Sequence, residues 1–291
     1  MRQIDVMKAI QDSIGLGICA LAALLAGCGG KQCSPMPPMP RPTLPRAFTQ
    51  TVEVFQVSFD MVLVPGDEAK GIKTLYVGRH EVTWDELMPW IYAGDYGEIG
   101  ENPKAMALRK KRLCPTEIPY GDITHGFGCE KFPAMRISRL HAEVYCEWLS
   151  AETGRAYRLP DNEEWEHIFR LGRGGAPDNL TEEEAKQQAV YEGTSWAEEL
   201  GDWQTFRVGS KAPDRLGIHD MVGNVAEWVT GTGTNRVVRG GHFRSKQEEL
   251  GLRGWLVENA SWNENMPHIS PGNRCWCVDA PWTGFRLVCE P

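Results

Sequence analysis

The residues best suited to chemistry in this sequence lie around Gly223. Asp220 and Glu227 lie on either side of Gly223 and Asn224, where the backbone can bend and direct carbonyl oxygens inward. Calcium binds about six to eight oxygen atoms, which carboxylates and backbone carbonyls supply together. The segment therefore predicts a calcium site. The alternative is an ordinary turn that leads, without any ligand, into the apolar strand at Val237.

A cysteine near the N-terminus is suited to lipid attachment. Residues 14–26 form an apolar run that is short for a bilayer span, and the run leads into the sequence LAGC, which ends at Cys28. This ending resembles the lipobox of bacterial lipoproteins, in which the cysteine receives lipid and becomes the mature N-terminus. We therefore expect Cys28 to anchor the protein in a membrane of the bacterial cell envelope, on the periplasmic side or at the cell surface. A plain signal peptide or a membrane anchor is the alternative.

The remaining cysteines lie in a domain that we expect to be exported, and export favours disulfides over free thiols. Cys114 and Cys129 bracket much of an irregular segment, residues 94–131, and are predicted to close it with a disulfide. Cys275 and Cys277 are separated by one residue. They could form a strained local pair, bond to other cysteines, or bind Cu(I), for which thiolates are suitable soft ligands. The sequence leaves open the pairing of Cys33, Cys275 and Cys277.

Other patterns of chemistry are missing from the sequence. The seven histidines show no HExxH motif or other compact metal-ligand spacing, and we interpret them as structural or surface residues. There is no glycine-rich phosphate loop and no GxSxG motif. Ser245 lies near His242, but nothing suggests a third residue that would orient the histidine as a base, so a hydrolase is not predicted. The formal charge of −8 without a basic cluster argues against binding to nucleic acid.

The elements that must position these residues are short helices and strands in a loop-rich chain. Glycine, proline and tryptophan number 31, 19 and 11, which favours irregular backbone held by aromatic packing. Residues 52–64 alternate weakly and predict a strand or a bent pair of strands, and residues 75–77 predict another strand. The predicted class is α+β. Capping residues predict helices that begin after Thr83, Ser138, Asp161 and Thr181.

The chain is predicted to divide into three parts. Residues 1–27 are the expected signal peptide. Residues 28–50 comprise Cys28 and a proline-rich stretch without a periodic apolar face, which predicts an extended tether. Residues 51–291 contain no second linker and are expected to form one domain, for which a hydrophobic content of 42% is sufficient.

The order of several short motifs in this domain resembles that of the formylglycine-generating enzyme family, also called sulfatase-modifying factors. The resemblance covers most of residues 60–290. It implies a C-type-lectin-like variant fold: an α+β domain with little regular secondary structure, a twisted antiparallel core and long loops. The motifs are VLVPG (62–66), EVT (81–83), AEVYCEWLS (142–150), YRLP (157–160), EEWE (163–166), LG (216–217), GNVAEW (223–228), RGG (239–241) and GFRLV (284–288).

The resemblance also implies specific ligands and one disulfide. One calcium site of the family matches this sequence, and it implies ligation by the side chains of Asp220 and Glu227 with the backbone oxygens of Gly223 and Val225. Calcium is therefore the expected cofactor. The family further implies a disulfide between Cys146 and Cys289, although Cys289 lies a few residues beyond the usual place.

The resemblance fails at the catalytic cysteines. The enzymes of the family bind Cu(I) through two cysteines shortly after the Arg-Gly-Gly motif, activate oxygen, and oxidise a sulfatase cysteine to an aldehyde. Here Ser245 and Leu250 occupy the two positions. A hydroxyl and an alkyl side chain cannot hold Cu(I). The sequence thus argues against copper and against the known oxidase activity.

Two functions from different classes remain. The first is an envelope-anchored module that binds a protein, peptide or glycan through the region that forms the family's cleft, although any of its tryptophans could instead belong to the core. The second is an oxidase with a rearranged metal site that involves Cys275, Cys277 or His242. Bound copper that is lost on Cys275→Ser would favour the oxidase, whereas calcium alone would favour the binding module. Arginine and tryptophan suit recognition surfaces, and the candidate cleft residues are Arg244, Arg253, Trp255, Trp262 and Trp282.

Overall fold

The protein is represented by a computed structural model that describes residues 44–92, 102–110, 124, 126–263 and 278–291. Its strands are β1 (Ala47–Val52), β2 (Val57–Val64), β3 (Leu75–Gly78), β4 (Tyr157–Arg158), β5 (Trp196–Ala197), β6 (Asp202–Trp203), β7 (Ala226–Val229), β8 (Val237–Gly240), β9 (Gly251–Val257), β10 (Thr283–Gly284) and β11 (Val288–Cys289). Its helices are α1 (Trp84–Tyr92), α2 (Pro103–Lys110), α3 (Arg139–Thr153), α4 (Asn162–Arg173) and α5 (Glu182–Gln188). Single 3-10 turns occur at Glu68–Lys70, Gln247–Glu249 and Ala260–Asn263.

The first sheet is built on a hairpin and has the strand order β1-β2-β3-β11-β4. β1 and β2 pair antiparallel, from Ala47 opposite Val62 to Val52 opposite Val57. The expected pair of strands is present, but it begins at Ala47, inside the segment that was predicted as tether. The reason is that β1 supplies the hydrogen-bonding partner for the outer edge of β2, so the folded part starts earlier than residue 51.

The second sheet carries the residues around Gly223 and has the order β10-β7-β8-β9. β7, β8 and β9 are antiparallel, and β10 joins β7 in parallel, with Thr283 opposite Ala226. The pairing of β8 with β9 shifts between Val238 and Gly240. Gly240 and Gly241 have φ values of 97° and 81°, so the strand ends at the two glycines as the sequence indicates. β5 and β6 form a separate two-stranded hairpin.

The helices begin at the predicted capping residues. Glu86 Oε1 accepts hydrogen bonds from Thr83 N and Thr83 Oγ1 at 3.1 and 2.9 Å, which fixes the start of α1. Ser138 Oγ accepts from His141 N at the start of α3. Asp161 and Thr181 form capping boxes for α4 and α5. These local signals are confirmed because each depends on residues within one helical turn.

Aromatic side chains fill the core, as the composition predicts. Among the described residues, five tryptophans are almost fully buried: Trp84, Trp90, Trp148, Trp165 and Trp228. Trp228 Nε1 donates to Ile137 O at 2.7 Å, and Trp165 Nε1 donates to Glu227 at 2.8 Å, so both rings bury their polar atom with a partner. The α+β class with modest regular structure is confirmed.

Several predictions concern residues outside the described ranges. These include the signal peptide, Cys28, most of the tether, and the cysteines Cys33, Cys114, Cys275 and Cys277. Within the part of the chain that the structure describes, no helix combines the length and the apolar character needed to cross a membrane.

Candidate functional site

The two positions at which the resemblance expects cysteines meet around Gly241. Gly241 has a φ of 81°. A Cβ atom on it would lie 3.0 Å from Leu250 Cδ2 and 3.4 Å from Ser245 Oγ. Both side chains are buried, Ser245 at 3% exposure and Leu250 at 2%. The backbone therefore brings the two positions together, and the difference from the family lies in the chemistry of the side chains.

Each of these two side chains has a structural role. Ser245 Oγ accepts a hydrogen bond from His242 N at 3.1 Å, and Ser245 N donates to His242 O at 2.8 Å, so the serine closes a tight turn. Leu250 packs in a hydrophobic cluster with Phe169 and Leu180. Cu(I) prefers thiolate and thioether ligands. The residues at this site do not fit copper.

The imidazole ring of His242 is uncharged and packs against an aromatic side chain. Its ring stacks on Trp282, with centroids 5.0 Å apart and planes 17° apart. His242 Nδ1 accepts a hydrogen bond from Arg244 N at 3.1 Å. Burial, assisted by the charge of Arg244, lowers the pKa of His242 to about 4. The ring is therefore uncharged at neutral pH, and its contacts are those of a packing residue.

The predicted cleft residues lie in different environments, some buried and some exposed. Trp262 is only 6% exposed and packs against Trp228 at 5.8 Å and Trp282 at 6.0 Å. Its ring packs in the core, which is the alternative that the sequence left open for each of these tryptophans. Trp282 is half-buried and its Nε1 has no hydrogen-bond partner. Arg244 is exposed and forms an ion pair with Asp202.

Arg253 and Trp255 both lie exposed on the edge strand β9. The ring of Trp255 covers the guanidinium of Arg239, whose central carbon lies 5.0 Å from the ring centroid. Trp165 lies 5.3 Å from the same carbon. Trp255 therefore has a structural contact with the buried Arg239 in addition to its exposed surface of 40%.

Sequence reasoning missed an aromatic surface on the β5–β6 hairpin. Trp196 and Leu200 are 46% and 43% exposed, and Trp196 packs edge-to-face on Trp203 at 5.1 Å. Asp202, in β6, holds Arg244 beside them. We call Trp196, Leu200, Trp203 and Arg244 the hairpin surface. The available signal was the pair of tryptophans on either side of Gly201, but strands of two residues have no detectable periodicity.

Hydrogen bonds join the hairpin and the residues just before it to the segment that contains Ser245. Ser195 Oγ donates to Phe243 O, and Glu192 N donates to Ser245 O at 3.0 Å. Trp203 Nε1 in turn donates to Glu192 O at 3.2 Å. The hairpin surface and Ser245 thus belong to one connected region.

The predicted calcium ligands have different environments. Glu227 is 1% exposed and fully engaged, since its Oε1 accepts from Arg286 Nε and Nη2 at 2.9 and 2.6 Å and its Oε2 accepts from Trp165. Asp220 Oδ2 accepts from Gly209 N at 2.7 Å, but its buried Oδ1 has no partner. Both oxygens of Glu227 are thus engaged within the protein, whereas Asp220 has an oxygen open to a cation.

A second bare carboxylate oxygen lies on the same small cavity as Asp220. Asp214 Oδ1 accepts from Leu216 N and Ile218 N, while its buried Oδ2 has no partner. Asp214 and Asp220 both line a cavity of about 20 Å³, which is enough for one water-sized group. Burial raises the pKa of both carboxyls. Among the described residues no three His, Cys, Asp or Glu side chains are grouped to hold a metal ion, so a cation here would also need backbone or water ligands.

Glu81 holds the bend at Asn224 that the sequence assigns to a metal. Glu81 Oε1 accepts from Val225 N at 2.9 Å, and Oε2 accepts from Asn224 Nδ2 at 2.7 Å. Asn224 has a φ of 54° and Gly223 a φ of 78°, so the expected backbone bend is present. Burial, together with the nearby Asp220 and Glu227, raises the pKa of Glu81 well above its usual range. The carboxylate was marked in the sequence only as part of the EVT motif.

The structure corrects the disulfide expected between Cys146 and Cys289. Both are buried free thiols. Cys289 lies on β11, where it pairs with Tyr76 and Tyr157, and Cys146 lies on α3. Burial raises the pKa of both thiols, that of Cys289 to about 11, so both remain protonated. The other expected pair, Cys114 with Cys129, includes a residue outside the described ranges.

Comparison with known proteins gives one family and several relatives. The family model of the sulfatase-modifying factor enzyme 1-like domain matches residues 50–291. Chaperone protein LppX of Paenibacillus barcinonensis is 24% identical over 264 residues, which cover 65% of this chain and 80% of the relative.

Two solved structures share the fold. Treponema denticola variable protein 1 has a TM-score of 0.55 and 21% identity, and the match covers 85% of this chain and 100% of that one. PvdO from Pseudomonas aeruginosa has a TM-score of 0.51 and 21% identity, with 84% and 91% covered. At these identities the likeness concerns the fold alone.

Proposed function

The chain belongs to the sulfatase-modifying factor enzyme 1-like domain family, and from that premise we propose that it is an envelope protein that uses this scaffold to bind a partner, not to oxidise cysteine. The observation that carries the proposal is the pair Ser245 and Leu250. Their backbone positions meet around Gly241, but the side chains are a hydroxyl that closes a turn and a leucine of the core. The frame of the family's copper site is retained without its ligands.

The hairpin surface supports the binding role. It combines two exposed apolar side chains, Trp196 and Leu200, with a charged one, Arg244, and tryptophan and arginine are enriched at binding hot spots. Exposed apolar side chains that lie together are typical of interaction sites. The Paenibacillus relative is named a chaperone protein, and on that likeness we propose a protein or peptide partner ahead of a glycan.

Anchoring through Cys28 is the second part of the proposal. It is supported by the LAGC sequence that ends at Cys28 and by the proline-rich stretch that follows. Growth with a labelled fatty acid is expected to label the natural chain and to leave Cys28→Ser unlabelled. Equal labelling of the variant would remove the anchor from the proposal.

Calcium is the third part, with a changed ligand set. Asp220 with Asp214 offers two bare, buried oxygens on one small cavity. We propose that a calcium ion binds there, completed by backbone or water oxygens, and that Glu227 takes no part because Arg286 already neutralises it.

The oxidase test uses the full chain, loaded with Cu(I) in air, and a peptide that carries a sulfatase-motif cysteine. Mass spectrometry is expected to show no aldehyde, beside an authentic formylglycine-generating enzyme as the positive control. The double variant Ser245→Cys/Leu250→Cys is expected to compete with a Cu(I) chelator where the natural chain does not, because the two positions already lie together. Aldehyde formed by the natural chain would overturn the proposal.

The binding test uses a displayed library of random peptides selected on the full chain. Enriched peptides are expected to bind Trp196→Ala at least about tenfold more weakly, in line with the loss of a tryptophan hot spot. Trp255→Ala is the matched control, since Trp255 has a similar exposure of 40% but lies on β9. Equal losses in the two variants, or no loss in either, would contradict a role for the hairpin surface.

A further inference from the structure

A cavity of about 430 Å³ lies between β2, the segment that leads into α1, and Leu287 near the C-terminus. Neither Ser245 nor Leu250 lines it, and no residue of the hairpin surface does. Its volume is within the usual range for small-molecule sites, roughly 300–1,000 Å³. One wall is apolar and includes Val57, Phe59 and Leu287. The cavity is thus distinct from the region of the proposed partner site.

Glu86 lines this cavity with a carboxyl group that is hydrogen-bonded through one oxygen. The residue is 8% exposed. Its Oε1 accepts both hydrogen bonds from Thr83, at 3.1 and 2.9 Å, and among the described residues none donates to its Oε2. No lysine or arginine pairs with it among the described residues. A buried carboxyl normally has its acceptors satisfied or its charge paired, so this oxygen is available to a donor that enters the cavity.

The charges around Glu86 favour a cation. Asp60 and Asp85 also line the cavity. His80 does too, but burial together with the charge of Arg286 lowers its pKa to about 4, so it adds no positive charge at neutral pH. Lys131 is exposed, and its backbone N donates to Asp85 Oδ2 at 2.8 Å. Asp60 is already paired with Arg79, so Asp85 and Glu86 are the carboxyls that favour a cation, and Lys131 is the single lysine in the lining.

The shape of the acceptor distinguishes among cations. A guanidinium binds best through both oxygens of one carboxylate, but Oε1 of Glu86 is already occupied by Thr83. A calcium ion binds about six to eight oxygen atoms, whereas Glu86 offers one open carboxylate oxygen. A compact ammonium needs only one strong acceptor, and an attached alkyl chain suits the apolar wall.

We propose that this cavity binds a primary alkylammonium group, with the nitrogen donating to Glu86 Oε2 and the carbon chain packed against Val57, Phe59 and Leu287. Two sources supply this chemistry: a free aliphatic diamine, or the lysine side chain of a peptide. Both present the same ammonium at the end of a flexible chain. The cavity therefore accepts the ammonium from either source, and the surface around the cavity entrance distinguishes a free diamine from a peptide.

The test is isothermal titration calorimetry of the full chain in detergent at pH 8.5, with cadaverine and with N-acetyl-lysine amide as the two probes. At this pH the amines are still charged and the Glu86 carboxyl, whose pKa burial raises to about 7, is ionised. Pentanol and glutarate are the neutral and anionic comparisons. We expect at least one amine to bind and neither comparison to do so. Binding of cadaverine alone assigns the free amine, and binding of the lysine derivative assigns a peptide lysine.

Glu86→Gln is expected to weaken amine binding at least about tenfold, because a charge-assisted hydrogen bond becomes a neutral one. Glutamine can replace glutamate in the capping box, so α1 should still form. Asp85→Asn provides a second, exposed variant with an expected smaller loss. Glu130→Gln, on a side chain that is 72% exposed and paired with Arg207, should change nothing. Absence of binding by both amines, equal binding of pentanol, or undiminished binding by Glu86→Gln would overturn the proposal.

Discussion

Replacement of Arg286 tests whether Glu227 belongs to an ion pair. Both residues are 1% exposed. Arg286 donates twice to Glu227 Oε1, once to Gly78 O at 2.9 Å and once to His219 O at 2.8 Å. Arg286→Met leaves a buried carboxylate and two carbonyls without these donors. We expect the free energy of unfolding, measured in urea, to fall by ~3–5 kcal/mol, the usual cost of breaking a buried pair from one side.

Two comparisons make this result specific. Lys73→Met removes an ion pair with Glu290 whose partners are 68% and 48% exposed, and such pairs contribute at most ~1 kcal/mol. Arg286→Met combined with Glu227→Leu should recover much of the loss, because the unpaired buried charge is gone. A cost below ~1 kcal/mol for Arg286→Met alone would refute the reasoning. Glu227 would then be free to serve as a calcium ligand.

Three further predictions concern Glu86, Gly254 and the proposed cation site at Asp214. Burial raises the pKa of Glu86 to about 7 from 4.5, so the folded state keeps a proton that the unfolded state loses. The stabilising contribution of this one group should be complete below pH 4.5 and fall by ~3 kcal/mol as the pH rises to 7, and Glu86→Gln should remove this component of the pH dependence in urea titrations. Gly254→Ala would place Cβ 2.2 Å from Gly241 N, and we expect the free energy of unfolding, measured in urea, to fall by ~3 kcal/mol. The control is Gly233→Ala, where φ is 66° but no atom lies within 4 Å, and where we expect a loss of ~1 kcal/mol. Calcium should raise the melting temperature of the natural chain and have no such effect on Asp214→Asn; equal melting temperatures of the natural chain in calcium and in chelator would count against the cation site.

Local features could be predicted from the sequence and long-range contacts could not. The caps at Thr83 and Ser138 depend on neighbours within four residues, and the bend at Gly223 depends on residues that tolerate positive φ. In contrast, Glu227 meets Arg286 across 59 residues, and Asn224 meets Glu81 across 143. No pattern in one sequence reports such a pairing, so the ion pair of Glu227 with Arg286 could not be predicted.

The sequence also could not predict which individual tryptophans are buried. Trp262 and Trp196 both lie in irregular segments among polar residues, yet the first packs between two other tryptophans and the second is 46% exposed. The difference depends on which element covers each ring. Only the tertiary structure supplies that information. It is the reason that the proposed binding surface contains Trp196 of the β5–β6 hairpin and does not contain Trp262.

The motifs that carry the family resemblance hold one another in place. Arg286, from the GFRLV motif, pairs with Glu227 of GNVAEW, and Trp165 of EEWE donates to the same carboxylate. Trp165 also stacks on Arg239 of RGG. This chain of contacts does not include Ser245, although Leu250 packs in the same hydrophobic cluster as Trp165. Retention of the motifs therefore reports the fold, while the family's copper chemistry depends on two side chains that can change without breaking these contacts. A protein of this family can thus contain the motifs that stabilise the fold and still have other residues at the two cysteine positions.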